Sequence, residues 1–332
     1  MGTARSEIFE HETIRHLKGQ TCPVPSFAHK PVMVAEVLAA LQPNPGGKYV
    51  DGTLGGAGHA AAILEASSPT GWLFGCDRDG DAVEAATQRL AQFAGRFELR
   101  RENFSDLAEW IAAGSVDGVL LDLGVSSPQL DRPERGFSFQ TDGPLDMRMD
   151  QRQLLRAADW VNEASADELA GIFWKYGGER EARRMARAIE RERRQSRIET
   201  TRQLAGLIEK ISPRAGRKAH PATRIFQALR MAVNDEMGGL ERGLAAAMKI
   251  LKSCGRLAVI TFHSLEDRVV KEFGRMGARD YVVPGQVDVP ELRQPRPPEL
   301  KVLTRKAVEP GEEEQRENPR SRSAQLRVME KL

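Results

Sequence analysis

Cysteine is scarce: three in 332 residues, Cys22, Cys76 and Cys254, far apart and without a C-x-x-C pair. That excludes a disulfide framework and a thiolate zinc site, and fits a reduced, cytoplasmic setting. The six histidines show no H-x-x-x-H or other ligand spacing, so no metal site is expected. No apolar run approaches the roughly twenty residues of a membrane helix, and residues 1–26, polar and mixed in charge, hold no apolar core of a secretory leader. The opening MGTARS fits the loose myristoylation pattern M-G-x-x-x-S, but no second membrane signal accompanies it, and it reads as coincidence. Excess charge is also missing; a net +2 by itself points to no polyanionic partner. Its distribution says more. Residues 179–224 carry fourteen Lys or Arg against six acids, a local excess of eight. Such a concentration is either a solvated helix face or a surface for a phosphate-rich partner.

Short apolar runs do recur, with helical patterns between them, as in a parallel α/β sheet. Strands are expected at 48–53, 72–77, 96–101, 116–124 and 255–264, with possible edge strands at KVLTR and AQLRVME. Residues 123–150 show neither periodicity over 28 positions, and a loop that long in a compact domain is usually functional. Three helices then follow without a strand between them, announced by the capping box SADE at 165–168, by EARRMARAIERERR and by TTRQ. They predict a small helical domain inserted into the α/β domain. A further helix from Ala222 carries Phe226, Leu229, Val233, Met237 and Leu240 on one face, expected to lie on the sheet.

The stretch DGTLGGAGH, Asp51 to His59, follows the first strand with four glycines in nine residues. Glycines let a backbone approach a ligand closely. Part of it, GAGHAA, fits the dinucleotide fingerprint G-x-G-x-x-A, so two cofactors compete. In an open parallel sheet this loop, Asp77 after the second strand, Asn103-Phe104 after the third and Asp122 after the fourth converge at the carboxyl ends. The acids decide. Asp51 and Asp122 would repel a pyrophosphate, which prefers a helix N-terminus free of negative charge. They would attract the ammonium and sulfonium of S-adenosylmethionine. Arg78, able to meet a 2′-phosphate, keeps an NADP-dependent oxidoreductase open.

The blocks DGTLGGAGH, CDRD, LLDLGVSSPQLDRPERGFSF, DGPLDMRMD, KYGGERE, HPATRIFQALRMAVNDE, FHSLEDR and ENPRSRSAQLR occur in this order. Together they closely resemble the bacterial small-subunit ribosomal RNA cytosine-N4 methyltransferases, the MraW/RsmH family, from about His29 to the C-terminus. The resemblance implies a Rossmann-like class I methyltransferase fold, with residues 27–134 and 222–332 as a discontinuous cofactor-binding domain. Residues 135–221 would be the inserted loop and helices, and residues 1–26 fall outside it. It further implies S-adenosylmethionine as donor and a decoding-centre cytidine of small-subunit ribosomal RNA, as RNA or within the subunit, as acceptor. Carried over by motif, the cofactor contacts are Ala57, Gly58, His59, Asp77, Phe104, Asp122 and Gln129. The family usually reads G-x-G-G-H where this chain has Gly56-Ala57-Gly58-His59. A positive φ at position 57 would strain an alanine. A catalytically silent ribosome-assembly factor is the other alternative, favoured by Ala57 alone.

The exocyclic N4 of cytosine is a poor nucleophile because its lone pair is conjugated into the ring. A site helps by accepting hydrogen bonds from the amine and holding nitrogen in line with the methyl, without metal or covalent intermediate. Asp122 at its strand end is the first candidate for that work. Ser127, in the SSPQ turn that other amino-methyltransferases place similarly, and His263, at the fifth strand's end, are the others. Phe137 and Phe139 are candidates to stack on an extruded base or to plug the loop onto the core. Arg135, Arg148, Arg183, Arg187, Arg191, Arg194, Arg320 and Arg322 are candidate phosphate contacts.

Overall fold

A parallel strand is covered on both faces, so its sequence is a near-continuous apolar run. The computed structural model describes residues 31–213, 220–284 and 287–332. Cys22, MGTARS with the rest of the N-terminal extension, and part of the basic segment (214–219) lie outside the described residues. The five expected strands form as β1 (Lys48–Asp51), β2 (Trp72–Cys76), β3 (Phe97–Arg100), β4 (Val116–Asp122) and β5 (Leu251–Thr261). A separate ribbon pairs β6 (Tyr281–Val282) with β7 (Gln294–Pro295). With β8 (Leu300–Val302) and β9 (Gln325–Lys331), the main sheet runs β3-β2-β1-β4-β5-β9-β8. It is parallel from β3 to β5 and antiparallel at β9. The sequence places β9 at an edge; in the structure β5 and β8 flank it, which explains its buried Leu326, Val328 and Met329.

Helices α1 (Val34–Leu41), α2 (Gly58–Ala66) and α3 (Gly80–Arg89) cover one face, packing Val37, Leu41, Ile63, Leu64 and Ala86 around Tyr49, Leu73 and Leu120. The short α4 (Leu107–Trp110) lies on the other. Within the long loop, Ser126 and Gln129 form a capping box that starts α5 (Ser127–Asp131). The rest of the loop is irregular yet packed, with Met147 fully buried and Leu145 nearly so.

The inserted helices are α6 (Ala157–Glu163), α7 (Ala166–Gly177), α8 (Ala182–Arg193) and α9 (Thr201–Ile211). The Ser165–Glu168 and Thr200–Gln203 boxes cap α7 and α9 as their sequences predict. The expected single helix from Ala222 breaks. Asp235 takes φ 45°, dividing α10 (Ala222–Val233) from α11 (Glu236–Ile250). The break turns the two apolar stripes to different partners. Phe226, Leu229 and Val233 join the core of the inserted helices instead of the sheet, so that layer continues past residue 221. Leu240 and Leu244 of α11 do meet the sheet, with Val270 of α12 (Ser264–Gly277) and Leu107. The small α13 (Glu312–Glu317) precedes β9.

Asn234 fastens the joint. Its side chain accepts the Met149 N–H and donates to Met147 O and Arg230 O, each at 2.8 Å. The site therefore lies where the loop, the α10–α11 break and the carboxyl ends of the strands meet.

Candidate active site

After β3 the chain crosses to the other side of β1, so β1 and β4 diverge at their carboxyl ends and leave a crevice. A cavity of about 310 Å³ opens there, lined by the glycine loop, Asp77, Phe104, Asp122, the Ser126–Gln129 turn and His263. Gly55 adopts φ 46° and donates its N–H to Asp77, which also accepts the Asp79 N–H, both at 2.9 Å. Asp77 is thus aimed across the loop by backbone amides. Burial pushes its carboxyl up.

The carried-over cofactor residues do not all reach the cavity. Gly58, His59, Asp77, Phe104, Asp122 and Gln129 line it; Ala57 does not. Ala57 stands behind the lining at φ 54°, its methyl wholly buried, and starts α2 from the left-handed conformation that favours glycine. The backbone accepts this without displacing the lining glycines, so the ground for a silent protein disappears. His59 Nε2 lies 2.8 Å from the Val32 carbonyl and so carries its proton there, leaving Nδ1 at 3.6 Å from Asp122 Oδ2. Gln129 is spent as a brace: its Oε1 accepts the Ser126 N–H and its Nε2 donates to Asp79.

Of the two acids expected to face the ligand, only Asp122 does. Asp51 is 1% exposed beneath the loop, where it accepts the Thr53 N–H. Burial pushes Asp51 up to about 7, with the Asp77 charge adding to it. Asp122 is pushed well up by burial and by the Asp51 and Glu266 carboxyls. Among the described residues its Oδ1, a buried acceptor, has no hydrogen-bond partner. An acceptor left open at a ligand crevice fits a ligand that brings N–H donors or positive charge, as S-adenosylmethionine does.

Ser127 also lines the cavity, but Arg320 donates to its Oγ and to Asp131, so the hydroxyl is engaged at the mouth. His263 caps α12 by accepting the Glu266 N–H on Nδ1, with Nε2 3.0 Å from Glu266 Oε1. Burial pushes Glu266 up. Hydrogen bonds from His263 and the Phe262 N–H, with the Arg230 charge, outweigh this and hold it below the usual range.

Sequence spacing missed a neighbourhood that folding assembles. Glu236, His263 and Glu266 bring ligand atoms within 4.8 Å of one another, although the histidine spacing predicts no metal site. His263 and Glu266 stand three apart at the start of α12, but Glu236 comes from α11, and no motif spacing records that meeting. Arg230 forks onto Glu236 at 2.7 and 2.8 Å, so positive charge is already built into the group. The signals in the sequence were the FHSLEDR block, with His263 and Glu266, and a polar Arg230 and Asn234 at the end of an apolar helix.

Several other expectations change. Arg78 donates to the Asn234 carbonyl at 2.8 Å, which takes away the group offered for a 2′-phosphate. Arg135 is 4% exposed and ion-paired to Asp79 at 2.8 Å; Arg148 is forked onto Asp146. Neither is a surface contact for phosphate. Phe137 and Phe139 plug the loop onto the helical core, Phe139 lying edge-on to Phe226 at 4.7 Å. Arg183, Arg187, Arg191, Arg194 and Arg322 are exposed.

A sheet of this order, which meets its ligand at the β1–β4 reversal with carboxylates instead of a bare helix N-terminus, is that of a class I S-adenosylmethionine-dependent methyltransferase. The chain belongs to the MraW methylase family, whose model matches residues 26–332. Ribosomal RNA small subunit methyltransferase H of Geobacter sulfurreducens is 53% identical over 312 residues, covering 92% of this chain and 100% of that relative. The proteins of the same name from Syntrophotalea carbinolica and Symbiobacterium thermophilum are each 50% identical, covering 92% of this chain and 98% of theirs.

Proposed function

We propose that this enzyme methylates N4 of a decoding-centre cytidine in small-subunit ribosomal RNA, within the small ribosomal subunit and in the cytoplasm. The observation that carries the chemistry is the open Oδ1 of Asp122 beside the Ser126–Gln129 turn. Bound S-adenosylmethionine supplies the electrophilic methyl. Asp122 accepts a hydrogen bond from the amine and localises its lone pair. A carboxylate whose proton affinity is raised by burial is also the better acceptor for the proton the amine sheds. Gln129, braced by Asp79, fixes the turn; Ser127 holds the base edge once Arg320 swings to an RNA phosphate. His263 closes the far wall.

The target base must leave its stack to reach this crevice. Arg183, Arg187 and Arg191 fall at every fourth residue along α8 with no acidic partner among the described residues, and supply the phosphate-facing stripe of the inserted helices. No described helix is long and apolar enough to cross a membrane.

The test is incubation with isotope-labelled S-adenosylmethionine and small subunits from a strain lacking the modification, then nucleoside analysis by mass spectrometry. Label in N4-methylcytidine is expected. Label in another nucleoside, or none despite cofactor binding, refutes the assignment.

A further inference from the structure

The strands set an order along the sheet edge. Asp77 ends β2, the glycine loop follows β1, Asp122 ends β4, and Phe262 to Glu266 follow β5. Neighbouring strands lie about 4.8 Å apart. A cofactor held by Asp77 and the glycine loop therefore leaves the β4–β5 side of the cavity for the methyl acceptor. The charged and polar groups that line the cavity beyond the glycine loop and Asp77 include Asp122, Arg230, Glu236, His263 and Glu266.

Most of these groups already have work. Glu266, 2% exposed, accepts the Phe262 N–H at 2.9 Å and the His263 N–H at 3.3 Å, fixing the first turn of α12. Glu236 receives Arg230 Nε on one oxygen and Nη2 on the other. The fork fixes the guanidinium plane across the α10–α11 break and leaves Nη1 outside the pair. A buried ion pair is a poor way merely to join two helices, because apolar side chains of similar volume do it as well or better. It is a good way to present a rigid donor in a ligand cavity.

We propose that Arg230, oriented by Glu236, reads the Watson–Crick edge of the acceptor base and makes the site select cytosine over uracil. This rests on the assignment of cytosine N4 as the acceptor. Cytosine offers, in order, an amine donor at N4 and acceptors at N3 and O2. Asp122 ends β4, whereas Arg230 is held by Glu236, which lies beside His263 and Glu266, the residues that follow β5. The cavity lining thus offers an acceptor on the β4 side and a donor on the β5 side. Uracil reverses the first two: its O4 faces the Asp122 carboxylate and its N3–H faces the guanidinium. A site built to hydrogen-bond a substrate rejects the mismatched analogue strongly, because its own buried polar groups are then left without partners. Adenine shares the amine and ring-nitrogen pattern but has no O2 and brings a second ring.

The experiment uses the whole chain with S-adenosylhomocysteine bound and titrates cytidine 5′-monophosphate and uridine 5′-monophosphate by NMR. It is run alongside methyl transfer to small subunits. Wild type is expected to bind the cytidine nucleotide at least tenfold more tightly. Arg230→Lys keeps a charge beside Glu236 but has no planar fork to hold a further donor in a fixed direction. It is expected to retain its Tm and cofactor Kd within threefold, to lose the nucleotide preference, and to lower kcat/KM on subunits about 100-fold. Glu236→Gln, which loosens the fork but keeps the arginine, is expected to fall between.

Equal binding of the two nucleotides by wild type, or an undiminished preference in Arg230→Lys, overturns the proposal. So does a divalent cation, tested as Mg²⁺ and Zn²⁺, that binds at Glu236, His263 and Glu266 and is required for transfer. If wild type places its methyl group elsewhere than cytidine N4, the parent assignment fails. If N4-methylcytidine forms while Arg230→Lys discriminates normally, only this inference does.

Discussion

Ala57 combines a backbone angle that suits glycine with a methyl group that the core encloses. The left-handed conformation costs an alanine about 1–2 kcal/mol, and a buried carbon contributes about 0.8 kcal/mol. The two nearly cancel, so Ala57→Gly is expected to change unfolding free energy by about 1 kcal/mol or less, measured by urea denaturation. Cofactor Kd should stay within threefold. Asp51 and Asp122 predict a pH effect. Their carboxyls are raised in the folded chain, Asp51 to about 7, so the fold retains protons that the unfolded chain releases. For Asp51 that stability is fully present below the ordinary carboxylate range and is lost as pH rises through about 7; for Asp122 it is lost in the same direction, as pH rises above the ordinary range. A cationic ligand favours the ionised form, so S-adenosylmethionine should bind more tightly at pH 8 than at pH 6, with proton release seen as a buffer-dependent calorimetric enthalpy. In Asp122→Asn the release should shrink, and methyl transfer should fall by at least about 100-fold, the scale of one general-base contribution. A flat affinity between pH 6 and 8 would refute the coupling.

At the scale of elements, the decisive feature is the fastening of loop, broken helix and sheet by two buried polar groups. Asn234 satisfies three backbone groups with one side chain, and its carbonyl takes Arg78. Asn234→Ala leaves the Met149 N–H and the Met147 carbonyl without partners, while Arg230 O keeps the backbone N–H of residue 234, at about 1–3 kcal/mol for each unsatisfied group. A loss of about 2–4 kcal/mol is expected, together with faster proteolysis between residues 137 and 156. Arg135 ties the same loop to Asp79 at the start of α3, and removing one partner of a buried ion pair costs about 3–5 kcal/mol. Arg135→Met should therefore lower Tm and weaken cofactor binding through Asp79 and Gln129. An unchanged salt dependence of subunit binding would confirm that this arginine does not contact phosphate.

For the whole molecule, the question is how a nearly neutral chain engages a polyanion. Many basic groups of the rich segment are spent internally: Arg193 donates to the Val161 and Ala164 carbonyls, Arg184 pairs with Glu181, and Arg197 with Glu199. Arg183, Arg187 and Arg191 of the α8 stripe are exposed and have no acidic partner among the described residues. Reversing Arg183, Arg187 and Arg191 to Glu is expected to weaken subunit binding at least tenfold and to flatten its dependence on salt, since fewer counterions are released. Cofactor affinity should not change. Identical salt slopes for variant and wild type would move the RNA-facing surface elsewhere.

Local rules are written in the sequence, and they carried far. The five core strands, the capped helices at Ser165 and Thr200 and the glycine loop after β1 all follow from periodicity, caps and backbone freedom, which are properties of neighbouring residues. So did the cofactor, because an acid in the place of a phosphate site is a chemical statement legible in one dimension. What only the tertiary structure decided depends on distance between elements. Burial turned Arg135, Arg148 and Phe139 from surface candidates into supports. Asp51 and Asp122 resemble each other as strand-end acids, yet only one reaches the cavity, because the glycine loop folds over the other. The break at Asp235 sent α10 to the inserted helices and α11 to the sheet, and so set Arg230 and Glu236 face to face. No spacing along the chain encodes that meeting; it exists because two helices that the sequence reads as one turn to different cores.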